Sequence, residues 1–258
     1  MPLTSKQIEH VEEVLRTSLR HKIATYTPEP NSMPFHTRLL GKDRLALFSF
    51  IHSLNTNFGT TIFEPVAVEL STTKFRTASR AMPAGNTMSD QAQAAIQLIM
   101  DSLSTAASEP NKPDEISRIR DVCQKGTMVA VKPTKVDLAL ESNAGEFYLF
   151  DIKTAKPNAG DFKEFKRTLL EWVAVTLADN PEAKINTAIA IPYNPYAPRP
   201  YSRWTIRGML DLKHELYVAE EFWDFLCGNG TFDTLLDIFE RIGIELRPEI
   251  DTAFARFK

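Results

Sequence analysis

The sequence predicts an α/β fold in which a mixed central sheet is flanked by helices. Amphipathic helical periods dominate the chain up to Leu103. Short β-branched and alternating apolar runs begin after Gly126, and a helical period and a further apolar run follow them. This order of helices, a strand meander, and then helix, strand and helix is typical of an α/β core with a mixed sheet.

The helices of the first half are predicted from apolar residues that recur every three or four positions. Thr4 or Ser5 is available as the N-cap of the first helix, and Ser89 as the N-cap of the last. Residues 71–88 lack such a period, and we expect a loop there. The four predicted helices cover approximately residues 8–23, 43–57, 60–70 and 89–103.

The strands of the second half are predicted from β-branched and aromatic content. Residues 127–131 form one such run, 136–140 alternates Val-Asp-Leu-Ala-Leu, and 146–153 is Glu-Phe-Tyr-Leu-Phe-Asp-Ile-Lys. The last two runs flank a short turn that contains Gly145, which predicts a β-hairpin. Beyond the hairpin we expect a helix, a strand and two more helices, at 161–177, 185–191, 220–226 and 231–242.

Composition excludes several classes of protein. The 258 residues are 43% hydrophobic and 24% charged, with a net charge of −3, so a mainly disordered chain is excluded. The apolar runs are far shorter than the roughly 20 residues of a membrane span, and the N-terminus does not resemble a signal peptide. Cys123 and Cys227 are isolated rather than arranged as a disulfide framework, so we expect a reducing, cytoplasmic compartment.

No linker divides the chain, so we predict one domain over residues 1–258, with a helical N-terminal region at 1–58 and an acidic helical C-terminal region at 215–258. That last region carries a net charge of −6, which leaves +3 for the 214 residues before it. Two other stretches, 70–89 and 191–210, contain arginines and no acid. Each is a candidate contact for a polyanion, or alternatively a solvated surface loop.

The predicted hairpin carries the most informative group of residues. Asp137 lies on its first strand, Asp151 lies near the end of the second, and Lys153 follows two positions later. Residues two apart in a strand project from the same face, and the turn brings Asp137 beside them. Two adjacent carboxylates repel each other, and a divalent cation between them offsets this cost. Two acids and a lysine around Mg²⁺ suit phosphodiester hydrolysis, because the metal activates water and polarises the phosphate.

The acid-x-Lys triplet is a weak signal by itself, because it occurs five times. Only the triplet that ends in Lys153 lies at the end of an apolar strand with a second strand-borne aspartate upstream. Ordinary strand-end charges are the alternative interpretation, although charges in an apolar strand are costly unless they are paired or bound. The five triplets are at 151–153, 161–163, 164–166, 182–184 and 211–213.

The segments Pro133-Thr-Lys-Val-Asp137 and Phe147-Tyr-Leu-Phe-Asp151-Ile-Lys153 resemble the PD-(D/E)xK nuclease pattern. The upstream Gly59-Thr-Thr-Ile-Phe-Glu64 is similar to the helix that precedes that core. Within this superfamily the chain resembles a type II restriction endonuclease, which implies a restriction-endonuclease-like fold with its catalytic core at about residues 59–192. The chain departs from the pattern where Thr-Lys-Val separates Pro133 from Asp137.

The resemblance implies roles for individual residues. Asp137 and Asp151 would be ligands of Mg²⁺, and Lys153 would orient or activate the attacking water. Glu64 would complete the metal site, directly or through water. Glu69 is the alternative, and since it lies about 140° further around the same predicted helix, the two should not both face the metal. A solvent-facing helix residue is the other interpretation of Glu64.

The resemblance also implies that the substrate is double-stranded DNA, cut at a short palindromic site by a homodimer with two-fold symmetry. The segment 217–228 is similar to a tail of restriction enzymes, some of which cut interrupted palindromes of the GGNCC type. A cognate DNA methyltransferase is the expected functional partner. Residues 193–204 follow a predicted strand and combine arginine, asparagine and proline, which suits either a loop that contacts DNA or a proline-braced surface loop. The candidate DNA contacts are Lys135, Lys156, Asn158, Asn194, Arg199 and Arg203.

Two other functions compete with restriction. A nuclease of the same fold would recognise structure or damage in DNA during repair or recombination. A catalytically idle DNA-binding or assembly protein would keep the fold, although the intact Asp137, Asp151 and Lys153 count against it. Replacing Lys153 with alanine separates these classes, because it should abolish cleavage by an enzyme and leave DNA binding largely intact.

Overall fold

The computed structural model describes residues 3–26, 33–153, 161–202 and 208–255. Its strands are β1 (Thr77–Pro83), β2 (Thr87–Ser89), β3 (Met128–Ala130), β4 (Lys135–Glu141), β5 (Glu146–Ile152), β6 (Lys184–Ile191) and β7 (Leu216–Val218). Five of them form one sheet in the order β1-β4-β5-β6-β7. The pairs from β1 to β5 are antiparallel and those from β5 to β7 are parallel. The predicted α/β architecture with a mixed central sheet is confirmed.

Helices cover both faces of this sheet. They are α1 (Ser5–Thr25), α2 (Pro34–Leu40), α3 (Lys42–Phe58), α4 (Glu64–Ser71), α5 (Asp90–Ser104), α6 (Lys112–Arg120), α7 (Asp161–Asp179), α8 (Glu220–Cys227), α9 (Thr231–Glu245) and α10 (Arg247–Ala255). A π-helical turn, Gly59–Phe63, joins α3 to α4 without a break. Among the described residues, no helix is both long and apolar enough to cross a membrane.

Two apolar clusters sandwich the sheet. On one face, α5, α6 and α7 bury side chains such as Ile96, Ile119 and Trp172. On the other face, α1, α4, α8 and α9 bury residues that include Leu15 and Phe222. Because each helix buries one stripe and each strand alternates its side chains between the two faces, the sheet is covered on both sides.

Local signals begin the helices where the sequence predicts. The Thr4 hydroxyl accepts a hydrogen bond from the Gln7 backbone N–H, and the Gln7 side chain accepts one from the Thr4 backbone N–H, which is a capping box. Ser89 caps α5 by accepting from the N–H of Ala92 at 2.9 Å. The predicted hairpin is present as β4 and β5.

The predicted loop over 71–88 is wrong, because β1 and β2 lie within it. β1 is an edge strand whose side chains are exposed or half-buried, so it lacks the apolar alternation that marks a strand with a buried face. The run at 127–131 does form a strand, but β3 pairs with β2 in a separate two-stranded sheet. Besides β1 and β2, four further elements were not predicted, namely α2, α6, β7 and α10.

Candidate active site

The ends of β4 and β5 bring the two predicted aspartates together. Leu138 pairs with Phe150 across these antiparallel strands, and Asp137 and Asp151 each lie one position beyond that pair. The backbone N–H of Ile152 donates to Asp137 Oδ2 at 3.0 Å. This bond fixes the Asp137 carboxylate at the end of the hairpin, next to that of Asp151.

Lys153 lies on the same side of the strand as Asp151, as the spacing predicts. Its Nζ is 2.6 Å from Asp151 Oδ1 and 4.8 Å from the centroid of the Phe165 ring on α7. The backbone N–H of Lys153 donates to the carbonyl of Ala190 at 2.9 Å, which holds it beside β6. The ammonium group is therefore held between a carboxylate and an aromatic face while its side chain stays partly exposed.

Glu64 is the acid that α4 contributes to this site. It is the first residue of α4, and only 3% of it is exposed. Its Oε1 accepts a hydrogen bond from Lys135 Nζ at 2.8 Å, and the same Nζ is 3.1 Å from Asp137 Oδ1. Glu69 points elsewhere, with its Oε2 at 3.9 Å from His10 Nε2. The structure thus places Glu64, and not Glu69, beside the hairpin.

Arg80 extends the site on β1. Its Nη1 donates to the carbonyl of Thr60 at 3.0 Å and lies 4.0 Å from Glu64 Oε2. Sequence reasoning did not assign Arg80 to the site, because its segment was predicted to be a loop. The available signal was the absence of acids around it. Charged side chains follow one another along the site in the order Arg80, Glu64, Lys135, Asp137, Asp151 and Lys153, and their signs alternate except between the two aspartates.

Among these six side chains, Asp137 and Asp151 are the one adjoining pair of like charge. Asp151 is buried. Burial raises the pKa of Asp151 to about 6, while the ammonium of Lys153 opposes that shift and the Asp137 carboxylate adds to it. A cation held between the two carboxylates would relieve both the burial cost and the repulsion.

The donor set fits a divalent metal bound by two carboxylates rather than three. Within the described ranges, no three His, Cys, Asp or Glu side chains come together in a way that could hold a metal ion. The expected trio of Asp137, Asp151 and Glu64 is divided, because the ammonium of Lys135 lies between Glu64 and Asp137. Mg²⁺ in proteins is commonly held by one or two carboxylates, with water and phosphate oxygens filling the remaining positions, and the adjacent pair meets that requirement.

The candidate DNA contacts have different surroundings. Lys135 is about half exposed at the site, and Arg199 is exposed. Asn194 uses its side chain within its own loop, where Nδ2 donates to the Arg199 carbonyl at 2.7 Å and Oδ1 accepts from the Tyr196 N–H at 2.9 Å. It braces the segment that carries Arg199. The remaining candidates lie outside the described residues: Lys156, Asn158 and Arg203.

A buried network of four charges anchors the chain that follows this segment. Lys166 Nζ on α7 lies 2.5 Å from Glu115 Oε2 and 2.6 Å from Glu215 Oε2, and Lys112 Nζ lies 2.8 Å from Glu215 Oε1. All four side chains are buried. Burial would raise the pKa of Glu215, but the two ammonium groups outweigh it and hold that pKa below its ordinary value. Sequence reasoning missed the network, because it set the triplet ending in Lys166 aside as part of a helix, where residues two apart do not face each other.

Comparison with known proteins identifies the family. A family model described as type II restriction endonuclease, HinfI, matches residues 3–243. The chain belongs to this HinfI family. It is 23% identical over 236 residues to type II restriction enzyme HgiCII of Herpetosiphon aurantiacus, covering 88% of this chain and 84% of the relative. It is 28% identical over 272 residues to type II restriction enzyme MjaII of Methanocaldococcus jannaschii, covering 94% of this chain and 72% of the relative.

Membership of the HinfI family confirms the predicted type II restriction endonuclease. The match includes every element that builds the site, from α1 to β7. The assignment of Asp137, Asp151 and Lys153 to the PD-(D/E)xK pattern stays a prediction, and so do the roles that follow from it.

Proposed function

We propose that this member of the HinfI family hydrolyses phosphodiester bonds of double-stranded DNA at a short palindromic site with Mg²⁺ as cofactor. The observation that carries this proposal is the adjacent pair of Asp137 and Asp151, the second of them buried, with the Lys153 ammonium 2.6 Å from the Asp151 carboxylate. A carboxylate pair suits a hard divalent cation, and an adjacent lysine suits a reaction in which water attacks phosphorus.

In this mechanism Asp137 and Asp151 hold the metal. When bound, Mg²⁺ supplies a water of lowered pKa and polarises the phosphate that is cut. Lys153 donates a hydrogen bond that orients the attacking water and offsets negative charge at the phosphorus in the transition state. Glu64 acts through Lys135, keeping that ammonium beside Asp137, and Arg80 helps to hold Glu64 in place. The water oxygen bonds to phosphorus as the bond from phosphorus to the ester oxygen breaks, the water gives its proton to the surrounding solvent, and the leaving ester oxygen takes a proton from solvent water.

The substrate is reached by residues around this site. Lys135 and Arg80 contact backbone phosphates next to the cut, and Lys156 and Asn158 contact phosphates further along the strand. Arg199 and Arg203 read bases from the segment that Asn194 braces. The acidic region at 215–258 faces away from DNA, since its charge would repel phosphates.

Cutting both strands of a palindrome requires two copies of the site, so we propose that the enzyme is a homodimer with two-fold symmetry. A cognate DNA methyltransferase protects host DNA as the functional partner. The proposed compartment is the cytoplasm, and the free thiols of Cys123 and Cys227 agree with a reducing environment.

The test is digestion of methylation-free phage DNA by purified protein with Mg²⁺, beside an EDTA control. Asp151→Asn removes a metal ligand with little change of shape, and Asp114→Asn, an exposed carboxylate on α6, is the matched control. We expect discrete bands from wild type and Asp114→Asn, and none from Asp151→Asn or with EDTA. Mapping the ends of the fragments gives the recognition sequence and the cut position.

Two outcomes would contradict the proposal. A smear or nicking that follows DNA structure instead of sequence would indicate a repair or recombination nuclease. If the wild-type protein binds DNA in the presence of Mg²⁺ and does not cleave it, the chain would be a DNA-binding protein that has kept the fold.

A further inference from the structure

The helices α2 and α3 present an apolar surface to solvent. Seven large apolar residues there have exposed fractions between 41% and 85%. Monomeric proteins rarely expose a contiguous patch of this size unless it is an interaction site. The seven are Met33, Phe35, Leu39, Leu40, Leu47, Phe48 and Ile51. We call them the α2–α3 patch.

The patch continues along α3 into an apolar cavity. At 100° per residue, Leu47, Ile51 and Phe58 lie within about 40° of one another around the helix. Phe58 lines a cavity of about 320 Å³. Its other walls come from the π turn, the end of β6, α8 and α9, and include Phe63, Tyr193, Trp223, Leu236 and Phe239. The stripe on α3 therefore leads from the patch to an aromatic cavity at the carboxyl end of β6.

Opposite charges flank the two ends of this surface. Around the α2–α3 patch the exposed side chains of Arg38, Lys42 and Arg44 outnumber the one exposed acid among them, Asp43, so this end is basic. At the cavity end, α9 exposes Asp237 and Glu240 beside Leu236. A two-fold axis that crosses the stripe would place the basic end of one copy against the acidic end of the other, which is the electrostatic complementarity that specific interfaces show.

The exposed apolar area is close to what a stable dimer needs. If a large apolar residue offers roughly 150–200 Å² when fully exposed, the α2–α3 patch at its observed exposures offers about 600–800 Å². A standard interface buries about 800 Å² on each partner. The cavity walls add to this area, so the surface suffices for two copies of this chain.

We propose that the α2–α3 patch and the aromatic cavity form the isologous dimer interface, with Phe35 and Leu39 of each protomer filling the cavity of its partner. This inference rests on the homodimer proposed above, and names the surface that forms it. Tyr193 lines the cavity at the start of the segment that carries Arg199, so the same contact would fix the position of each DNA-reading segment relative to its symmetry mate.

The test is sedimentation velocity of the full chain at several concentrations. Wild type should be a dimer, and the double variant Phe35→Glu/Leu39→Glu should weaken the dimer at least about 100-fold, because the carboxylates would enter an apolar cavity. Leu98→Glu is the matched control, since Leu98 is 61% exposed on α5 and outside the patch. It should leave the dimer unchanged. Circular dichroism melting checks that every variant is folded.

Reversing the charges of a basic and an acidic residue of the proposed interface provides a second, independent test. Arg44→Glu should weaken the dimer, and the added change Asp237→Arg in the same chain should restore it, because an isologous contact pairs the two positions twice. A monomeric wild type at concentrations up to about 100 μM, or a dimer that Phe35→Glu/Leu39→Glu leaves intact, would overturn the inference. Cleavage of phage DNA by wild type is measured in parallel. If wild type cleaves DNA and the dimer results contradict the inference, only the interface is wrong and the proposed nuclease activity stands.

Discussion

Lys135 Nζ lies 2.8 Å from Glu64 Oε1 and 3.1 Å from Asp137 Oδ1, so one ammonium group joins an acid of α4 to an acid of the hairpin. Contacts with both carboxylates outweigh the effect of partial burial and raise the pKa of Lys135. The lysine therefore stays charged and lowers the negative potential of the site before any metal binds. A cation that enters beside Asp137 meets this positive charge as well as the carboxylates.

Removing this lysine should strengthen metal binding. Lys135→Ala leaves Glu64 and Asp137 without their shared cation, so the affinity for Ca²⁺ or Mg²⁺ without DNA should rise roughly tenfold. Isothermal titration calorimetry measures it. Lys184→Ala is the control, because Lys184 is exposed at the start of β6 and pairs only loosely with Glu146. Unchanged or weaker affinity in Lys135→Ala would show that Lys135 does not compete with the metal.

Lys153→Ala should separate cleavage from binding. The variant loses the donor beside Asp151, and single-turnover cleavage should fall by about 10²–10⁴-fold, a range typical for loss of a group that orients or deprotonates water. DNA binding in Ca²⁺, measured by fluorescence anisotropy, should change little. Lys184→Ala again serves as the control. Cleavage near the wild-type rate would remove Lys153 from the mechanism.

The raised pKa of Asp151 predicts how stability depends on pH. The ordinary value of this carboxyl is 3.8, and burial raises it to about 6 in the folded chain. Between about pH 4 and pH 6 the folded state therefore binds more protons than the unfolded state, and the free energy of unfolding falls as the pH rises. Asp151→Asn should lose this part of the pH dependence. The free energy of unfolding of the variant, relative to that of wild type, should therefore rise from about pH 4 to pH 6.

Urea unfolding in EDTA at several pH values measures the difference, and Asp114→Asn should follow wild type throughout. A constant difference between Asp151→Asn and wild type from pH 4 to pH 7 would mean that Asp151 titrates alike in the folded and unfolded states.

The buried network gives a prediction about stability alone. Lys166→Met leaves the buried carboxylate of Glu115 without its ion-pair partner and that of Glu215 with Lys112 alone, which should cost about 3–5 kcal/mol. Lys163→Met, on the exposed side of the same helix, should change stability by less than about 0.5 kcal/mol. Equilibrium unfolding in urea compares the two. Equal effects would mean that the network contributes nothing beyond helix surface.

The hairpin was predictable because its information is local. Alternation over 136–140 and the aromatic run before Asp151 define both strands, and a strand period of two then places Lys153 beside Asp151. The capping signals at Thr4 and Ser89 are local in the same way.

The rest of the site depends on packing between distant elements. Arg80 reaches Glu64 because β1 pairs with β4 at the sheet edge, and no spacing in the sequence encodes that pairing. The burial of Lys166 could not be predicted, because the sequence of a helix does not distinguish a buried lysine from an exposed one until its partners are known. Its partners, Glu115 and Glu215, are about fifty residues away on either side.

The π turn at Gly59–Phe63 has a genetic consequence. A π turn inserts one residue into an otherwise continuous helix, so an in-frame loss of one codon there would leave an ordinary α-helix. The helix α3, which precedes the turn, would then be rotated by about 100° about its axis relative to Glu64. Such an allele would keep every residue of the apolar stripe and every acid of the site. The stripe would nevertheless face a different direction relative to the active site. The inserted residue therefore sets the angle, around the helix axis, between the apolar stripe of the proposed dimer interface and Glu64 of the active site.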